Sequence, residues 1–227
     1  MSMTTPIAPR TALTVLADIK IAHSVFALPF ALLAAVMAAW PPEESGVAAV
    51  SNDVFVGAIV LIVVAMVTAR TAAMLSNRIL DRAIDARNPR TTSRPLASGA
   101  ASLSNYVFVL AAVSVLFVGI TSGFWFLYGN PYPVILAVPV LAWICSYGLL
   151  KRFTSWCHVW LGISLAISVP AAAVAINPDA VLVEPSLWLL AGMVLCWVAG
   201  FDMIYALQDV TVDRAEGLHS MPSRLGV

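Results

Sequence analysis

Six apolar stretches, at 21–40, 54–75, 106–126, 133–150, 156–176 and 187–207, constrain this 227-residue chain more than any other feature. A helix needs about 20 residues to cross the roughly 30 Å hydrocarbon core of a bilayer, and each stretch is close to that length. The expected fold is all-α, a polytopic transmembrane helix bundle with six spans, residues 1–227 forming one domain. Pro29, Pro139 and Pro170 fall inside spans and predict kinks, which a membrane bundle tolerates where neighbouring groups satisfy the freed carbonyls. Between the spans lie Pro41-Pro42-Glu43-Glu44-Ser45-Gly46, Tyr128-Gly129-Asn130-Pro131 and Asn177-Pro178-Asp179.

Composition supports the same class. Apolar residues make up 61% of the chain and charged residues 11%; soluble domains run near 45–50% and about 25%. So few charges cannot cover a soluble globule, and disorder requires the opposite bias. Twelve basic residues balance twelve acidic ones, so nothing electrostatic points to nucleic acid. Cys145, Cys157 and Cys196 form no metal-ligand spacing and read as small buried hydrophobes. The N-terminus lacks the cleavage pattern of a signal peptide.

The connections sort by charge. Those after the first, third and fifth spans hold Glu43, Glu44, Asp53, Asp179 and Glu184 and no Lys or Arg, while all twelve basic residues lie on the other side. The positive-inside rule then puts both termini and the even-numbered turns of an integral, multi-pass protein on the cytoplasmic side; a bacterial inner membrane is the expected setting. The segment 77–104 is longer than a turn needs and carries charges of both signs at helical spacing, as does the tail after Leu207.

Two carboxylate ladders stand on this side. Asn77, Asp81 and Asp85 are spaced i, i+4, i+8 and would line one face of a helix continuing the second span, with Arg70 two turns earlier. Tyr205, Asp209 and Asp213 repeat the spacing after the sixth span, with Asp202 deeper in the bilayer. Stacked like charges destabilise a helix, and burial near a bilayer adds desolvation. A divalent cation reverses both penalties. Mg²⁺ is usually held by one or two carboxylates plus substrate phosphates, so the two clusters would clamp a diphosphate through Mg²⁺. Arg94, Lys151 and Arg152 on the same side would bind its remaining oxygens. Asp202 is a functional candidate because an acid at that depth is costly, and Tyr205 suits either the site or the interface. His23 and His158 are expected to pack or cap, and His219 is uninformative.

The string Asn77-Arg78-Ile79-Leu80-Asp81-Arg82-Ala83-Ile84-Asp85, followed by Arg94-Pro95-Leu96 and Gly99, resembles the first signature of the UbiA superfamily of intramembrane prenyltransferases. Gly200-Phe201-Asp202-Met203-Ile204-Tyr205-Ala206-Leu207-Gln208-Asp209-Val210-Thr211-Val212-Asp213 resembles the second. Tyr147 with Lys151-Arg152-Phe153-Thr154 is similar to the family's connection after the fourth span, and Arg70 matches an arginine two turns before its Asn. The segment 19–30 is similar to the 4-hydroxybenzoate polyprenyltransferase-like branch, some members of which act in menaquinone synthesis by the futalosine route.

The resemblance implies Mg²⁺-dependent transfer of a polyprenyl group from polyprenyl diphosphate to an aromatic acid, 4-hydroxybenzoate or a dihydroxynaphthoate, in quinone biosynthesis. Asp81, Asp85, Asp209 and Asp213 would then hold Mg²⁺ and diphosphate with Asn77 assisting. Arg94 and Lys151 would bind diphosphate oxygens, Arg70 would pair with the acceptor carboxylate, and Asp202 and Tyr205 would line the substrate site. The family usually has nine spans, so the resemblance also implies that about three C-terminal helices are missing here. Two alternatives stand beside it. A CDP-alcohol phosphotransferase also sets aspartates at cytoplasmic helix ends, though in one cluster with interleaved glycines. A non-catalytic transporter or scaffold would instead face its acids into a midplane cavity.

Overall fold

The structure is a computed structural model that describes residues 12–19 and 27–226. Among these residues every regular element is helical: α1 (Ala12–Asp18), α2 (Leu28–Ala39), α3 (Asn52–Asp85), α4 (Leu103–Tyr128), α5 (Tyr132–Cys145), α6 (Tyr147–Leu150), α7 (Cys157–Ala166), α8 (Ser168–Ile176), α9 (Ala180–Val183), α10 (Pro185–Ala206), α11 (Val210–Ala215) and α12 (Met221–Leu225). Five helical segments are long and apolar enough to cross a membrane, namely α3, α4, Tyr132–Leu150, Cys157–Ile176 and Pro185–Ala215. They coincide with the last five expected spans. Of the first, residues 27–40 are described, with α2 as a 12-residue helix; Arg10, Lys20 and His23 lie outside the described residues.

The bundle closes through small residues. Ala31, Ala34, Ala35, Ala38 and Ala39 of α2 are all fully buried, in one cluster with Val169, Ala172, Ala173 and Ala175 of α8. Lipid tails are as apolar as the helix surfaces, so membrane helices associate by close packing, and small side chains permit it. Gly162 on α7 shows the same principle, since a Cβ there would lie 2.6 Å from the Leu195 carbonyl oxygen on α10. Large apolar side chains point outward instead, including Val115, Phe126, Leu189 and Ile204, which suits a lipid-facing belt. Cys196 belongs to this outward face and is exposed, contrary to the buried role expected, whereas Cys157 is buried.

The proline expectations divide. Pro29 sits in the first turn of α2, where its missing N–H costs nothing and no kink results. The helix continues through Pro139. Pro170 does break a helix: α7 ends at Ala166, whose carbonyl is the one a proline four residues later would strike. A second break, at Ser146 between α5 and α6, contains no proline. There the Trp143 carbonyl accepts from Trp160 Nε1 (3.2 Å) and Ser146 Oγ (2.6 Å), and the Cys145 carbonyl accepts from Ser76 Oγ (2.9 Å). Side chains thus satisfy the diverted carbonyls that lipid cannot.

What positions the site is the length of α3. Its 34 residues extend about 51 Å at 1.5 Å per residue, roughly 20 Å more than the hydrocarbon core. The surplus carries Asn77, Asp81 and Asp85 out of the bilayer as an unbroken helix, as the spacing predicts.

Candidate active site

At the charged end of the bundle, three chain segments converge: the end of α3 with the loop 86–102, the turn after α6, and the segment 207–226. On α3, Asp81 and Asp85 are 4% and 7% exposed, so each carboxylate requires compensation. Asp81 Oδ2 accepts from Lys151 Nζ at 2.5 Å, and the Arg152 guanidinium lies 3.8 Å from Oδ1. Asp85 is paired with Arg94, whose Nη1 donates to both of its oxygens at 2.8 and 2.7 Å. Gly148 lets α6 lie close to α3, because a Cβ there would be 2.8 Å from Asn77 Oδ1.

The second ladder departs from expectation. α10 ends at Ala206, a 3₁₀ turn spans Leu207–Asp209, and α11 starts at Val210, so Tyr205, Asp209 and Asp213 do not share one continuous helical face. The reason is in their partners. Asp209 turns toward the loop after α3 and accepts from Asn88 Nδ2 and Arg90 Nε, both at 3.0 Å. Arg90 also donates to the Tyr205 hydroxyl at 3.3 Å and lies over its ring at 5.5 Å. The Asp209 hydrogen bond holds the Arg90 guanidinium above its ordinary pKa. Asp213 accepts from Ser220 Oγ at 2.5 Å and stays within electrostatic range of Asp209 and Lys151. Farther out, Arg87 pairs with Glu216 and holds that carboxyl below the usual glutamate range.

Asp202 forms a third group. Its Oδ2 lies 2.7 Å from His158 Nδ1 and 3.5 Å from the Tyr147 hydroxyl. His158 is 3% exposed, and its Nε2 accepts the Met221 N–H at the start of α12 at 3.2 Å. That bond assigns the ring proton to Nδ1, facing Asp202. His158 therefore caps, as expected, and also pairs with the intramembrane acid, which its sequence position does not disclose. Arg70 stands apart: its Nε is buried without a hydrogen-bond partner, about 10 Å along the helix from Asn77 toward the membrane.

Arg94 and Lys151, expected to bind anions, here neutralise the carboxylates expected to bind a cation. No three His, Cys, Asp or Glu side chains form a ready-made metal cluster among the described residues. Two acceptors nevertheless remain open. Asn77 Oδ1 and Asp81 Oδ1 are buried and have no hydrogen-bond partner, and they stand one turn apart on the same face of α3. A pair of hard oxygens awaiting a donor fits Mg²⁺. Arg90 and Asn88 were invisible to spacing arguments because they sit in an aperiodic loop, and their part appears only once the loop meets α10.

Comparison with known proteins decides the family. Residues 27–227 match the model of the UbiA prenyltransferase family. The chain belongs to that family. This UbiA member is 32% identical over 168 residues to a 4-hydroxybenzoate octaprenyltransferase of Nitrosomonas eutropha, covering 74% of this chain and 56% of the relative. It is also 32% identical over 158 residues to the mitochondrial 4-hydroxybenzoate polyprenyltransferase of Schizosaccharomyces pombe, covering 69% of this chain and 42% of that protein. The UbiA chain thus spans about half the length of these curated relatives. The apo structure of a UbiA homolog from Aeropyrum pernix K1 superposes with a TM-score of 0.76 at 35% identity, over 91% of this chain and 71% of that one. A digeranylgeranylglyceryl phosphate synthase shares the fold, with a TM-score of 0.67 at 20% identity. Membership removes the CDP-alcohol phosphotransferase alternative.

Proposed function

We propose that this UbiA member transfers a polyprenyl group from polyprenyl diphosphate to an aromatic acid, 4-hydroxybenzoate or a dihydroxynaphthoate, in quinone biosynthesis. The observation that carries the reading is the meeting of Asp81, Asp85 and Asp209 with Arg90, Arg94, Lys151 and Arg152 at one end of a lipid-facing bundle. The names of the 4-hydroxybenzoate prenyltransferase relatives support the acceptor class.

Asp81, Asp85, Asp209 and Asp213, with Asn77, would hold Mg²⁺. When bound, the ion supplies neutralisation of the charge that grows on the departing diphosphate. Arg90, Arg94 and Lys151 turn from their carboxylates to the diphosphate oxygens, for which Arg has matched geometry. The allylic C–O bond breaks and its electron pair leaves with the diphosphate. A ring carbon of the acceptor then bonds to the allylic carbon, and the ring loses a proton. Apolar walls keep water from the allylic cation. Arg70, with its unpartnered Nε, orients the acceptor carboxylate, while Asp202 and Tyr205 line the site between it and the ladders. Both termini face the cytoplasm, an orientation that the one-sided distribution of Lys and Arg supports, and a bacterial inner membrane is the proposed setting.

The test is transfer in membranes carrying this chain, with labelled polyprenyl diphosphate and both acceptors. A prenylated aromatic product lost on chelation is the expected result, and the preferred acceptor names the branch of quinone synthesis. Absence of product from this chain and from the same chain extended to the length of its relatives would end the reading.

A further inference from the structure

We infer that α1 braces the loop 86–102, and that Asp18 is a positioning residue for Arg90 and Arg94. The inference rests on the reading above that these arginines bind the diphosphate.

α1 has seven residues, far too few to be stable alone, so its place is set by what it touches. Val15 and Ile19 are 0% and 2% exposed and belong to one buried cluster with Leu75 of α3, Tyr106 and Val109 of α4, and Leu96 and Ala101 of the loop. Leu96 follows Arg94 by two residues, so the apolar anchor of the loop is almost adjacent to the cation that grips Asp85. At the edge of this cluster Asp18 Oδ2 accepts from Arg78 Nε at 3.1 Å and from the Tyr106 hydroxyl at 2.8 Å. The Arg78 and Asp18 side chains are only 11% and 9% exposed. An ion pair so shielded is costly to break on one side, because the remaining charge is left buried and unpaired.

The polar fixation of the loop lies mainly in its first half, where Asn88 and Arg90 reach Asp209 and Arg94 reaches Asp85. Thr91 Oγ1 donates to the Asp85 carbonyl at 3.0 Å, and the Ala101 N–H donates to the Pro95 carbonyl at 2.9 Å. Its apolar fixation comes from Leu96 and Ala101, in the cluster that α1 completes. Arg78 adds a second consequence. It precedes Asp81 by three residues on α3, within side-chain reach, so without Asp18 its guanidinium becomes a competitor for the ladder. Asp18 thereby keeps one cation off the ladder and two others in position for the donor.

The experiment compares the full chain in lipid nanodiscs as wild type, Asp18→Asn and Tyr106→Phe. Tyr106→Phe removes one hydroxyl and no charge, so it decides the matter if Asp18→Asn does not fold. Backbone hydrogen exchange is followed in 86–102 and, as an internal control, in 157–176. Faster exchange confined to 86–102 is expected. In transfer assays KM for polyprenyl diphosphate rises about tenfold while KM for the aromatic acid stays within about twofold, as expected for misplacing a substrate-positioning group. Exchange unchanged in 86–102, or accelerated equally in both segments, overturns the brace, as does an equal rise in the two KM values. If the wild type makes no product, the functional reading fails on its own and hydrogen exchange alone decides the brace.

Discussion

At the scale of single residues, the site separates groups that are already paired from groups that are not. Asp81 belongs to both classes, with Oδ2 on Lys151 and Oδ1 near Arg152 but without a hydrogen bond. Asp81→Asn removes the charge at nearly constant shape, and transfer is expected to fall at least about 100-fold, the scale seen when a group stabilising developing charge is lost. Unaltered turnover in Asp81→Asn membranes would sink the metal assignment. Arg70→Ala acts on the acceptor side only, raising KM for the aromatic acid with kcat little changed, the signature of lost uniform binding. Equal loss of kcat and kcat/KM would instead place Arg70 in the chemical step. Asp202 and His158 show how far residue-level reading reaches: the depth of Asp202 marks it from sequence, but the histidine that meets it comes from another helix, 44 positions earlier.

At the scale of elements, close helix contacts depend on individual glycines. At Gly162 a new Cβ would meet the Leu195 backbone carbonyl at 2.6 Å, and backbone cannot move aside as a side chain can. Gly162→Ala should push α7 from α10 and destabilise the bundle by about 1–3 kcal/mol, the range for overpacking, read as a lower unfolding temperature in detergent. No change in that temperature would show that the α7–α10 contact has slack. Apolar length made the last five spans legible in the sequence, and α3 carries the first ladder as its periodicity predicts. The second ladder was misread because a hydrogen-bonding loop outcompeted helix continuation at Leu207–Asp209. α1 escaped notice because seven residues carry no periodic signal; among the described residues, the partners of Val15 and Asp18 are distant in sequence.

At the scale of the whole molecule, the charged end is a seam between segments far apart in the chain, closed largely by ion pairs. Arg87–Glu216 is its outer stitch. The Glu216 carboxyl is held below its ordinary pKa by the Arg87 hydrogen bond, so its contribution is complete above the ordinary value and lost as pH falls through the shifted one. Below about pH 4, the ordinary glutamate range, hydrogen exchange in 207–226, corrected for its intrinsic pH dependence, should quicken relative to α8. Exchange in step with α8 down to pH 3 would show that the stitch does not hold the segment. The projection of α3 past the hydrocarbon core has a kinetic corollary. On the proposed reading, headgroup chemistry would be done at the water boundary while the isoprenoid tail stays among acyl chains, so the donor would be met by lateral diffusion within a leaflet. The concentration that matters is then a surface mole fraction: adding inert phospholipid at constant bulk donor should slow turnover, and removing it should restore the rate.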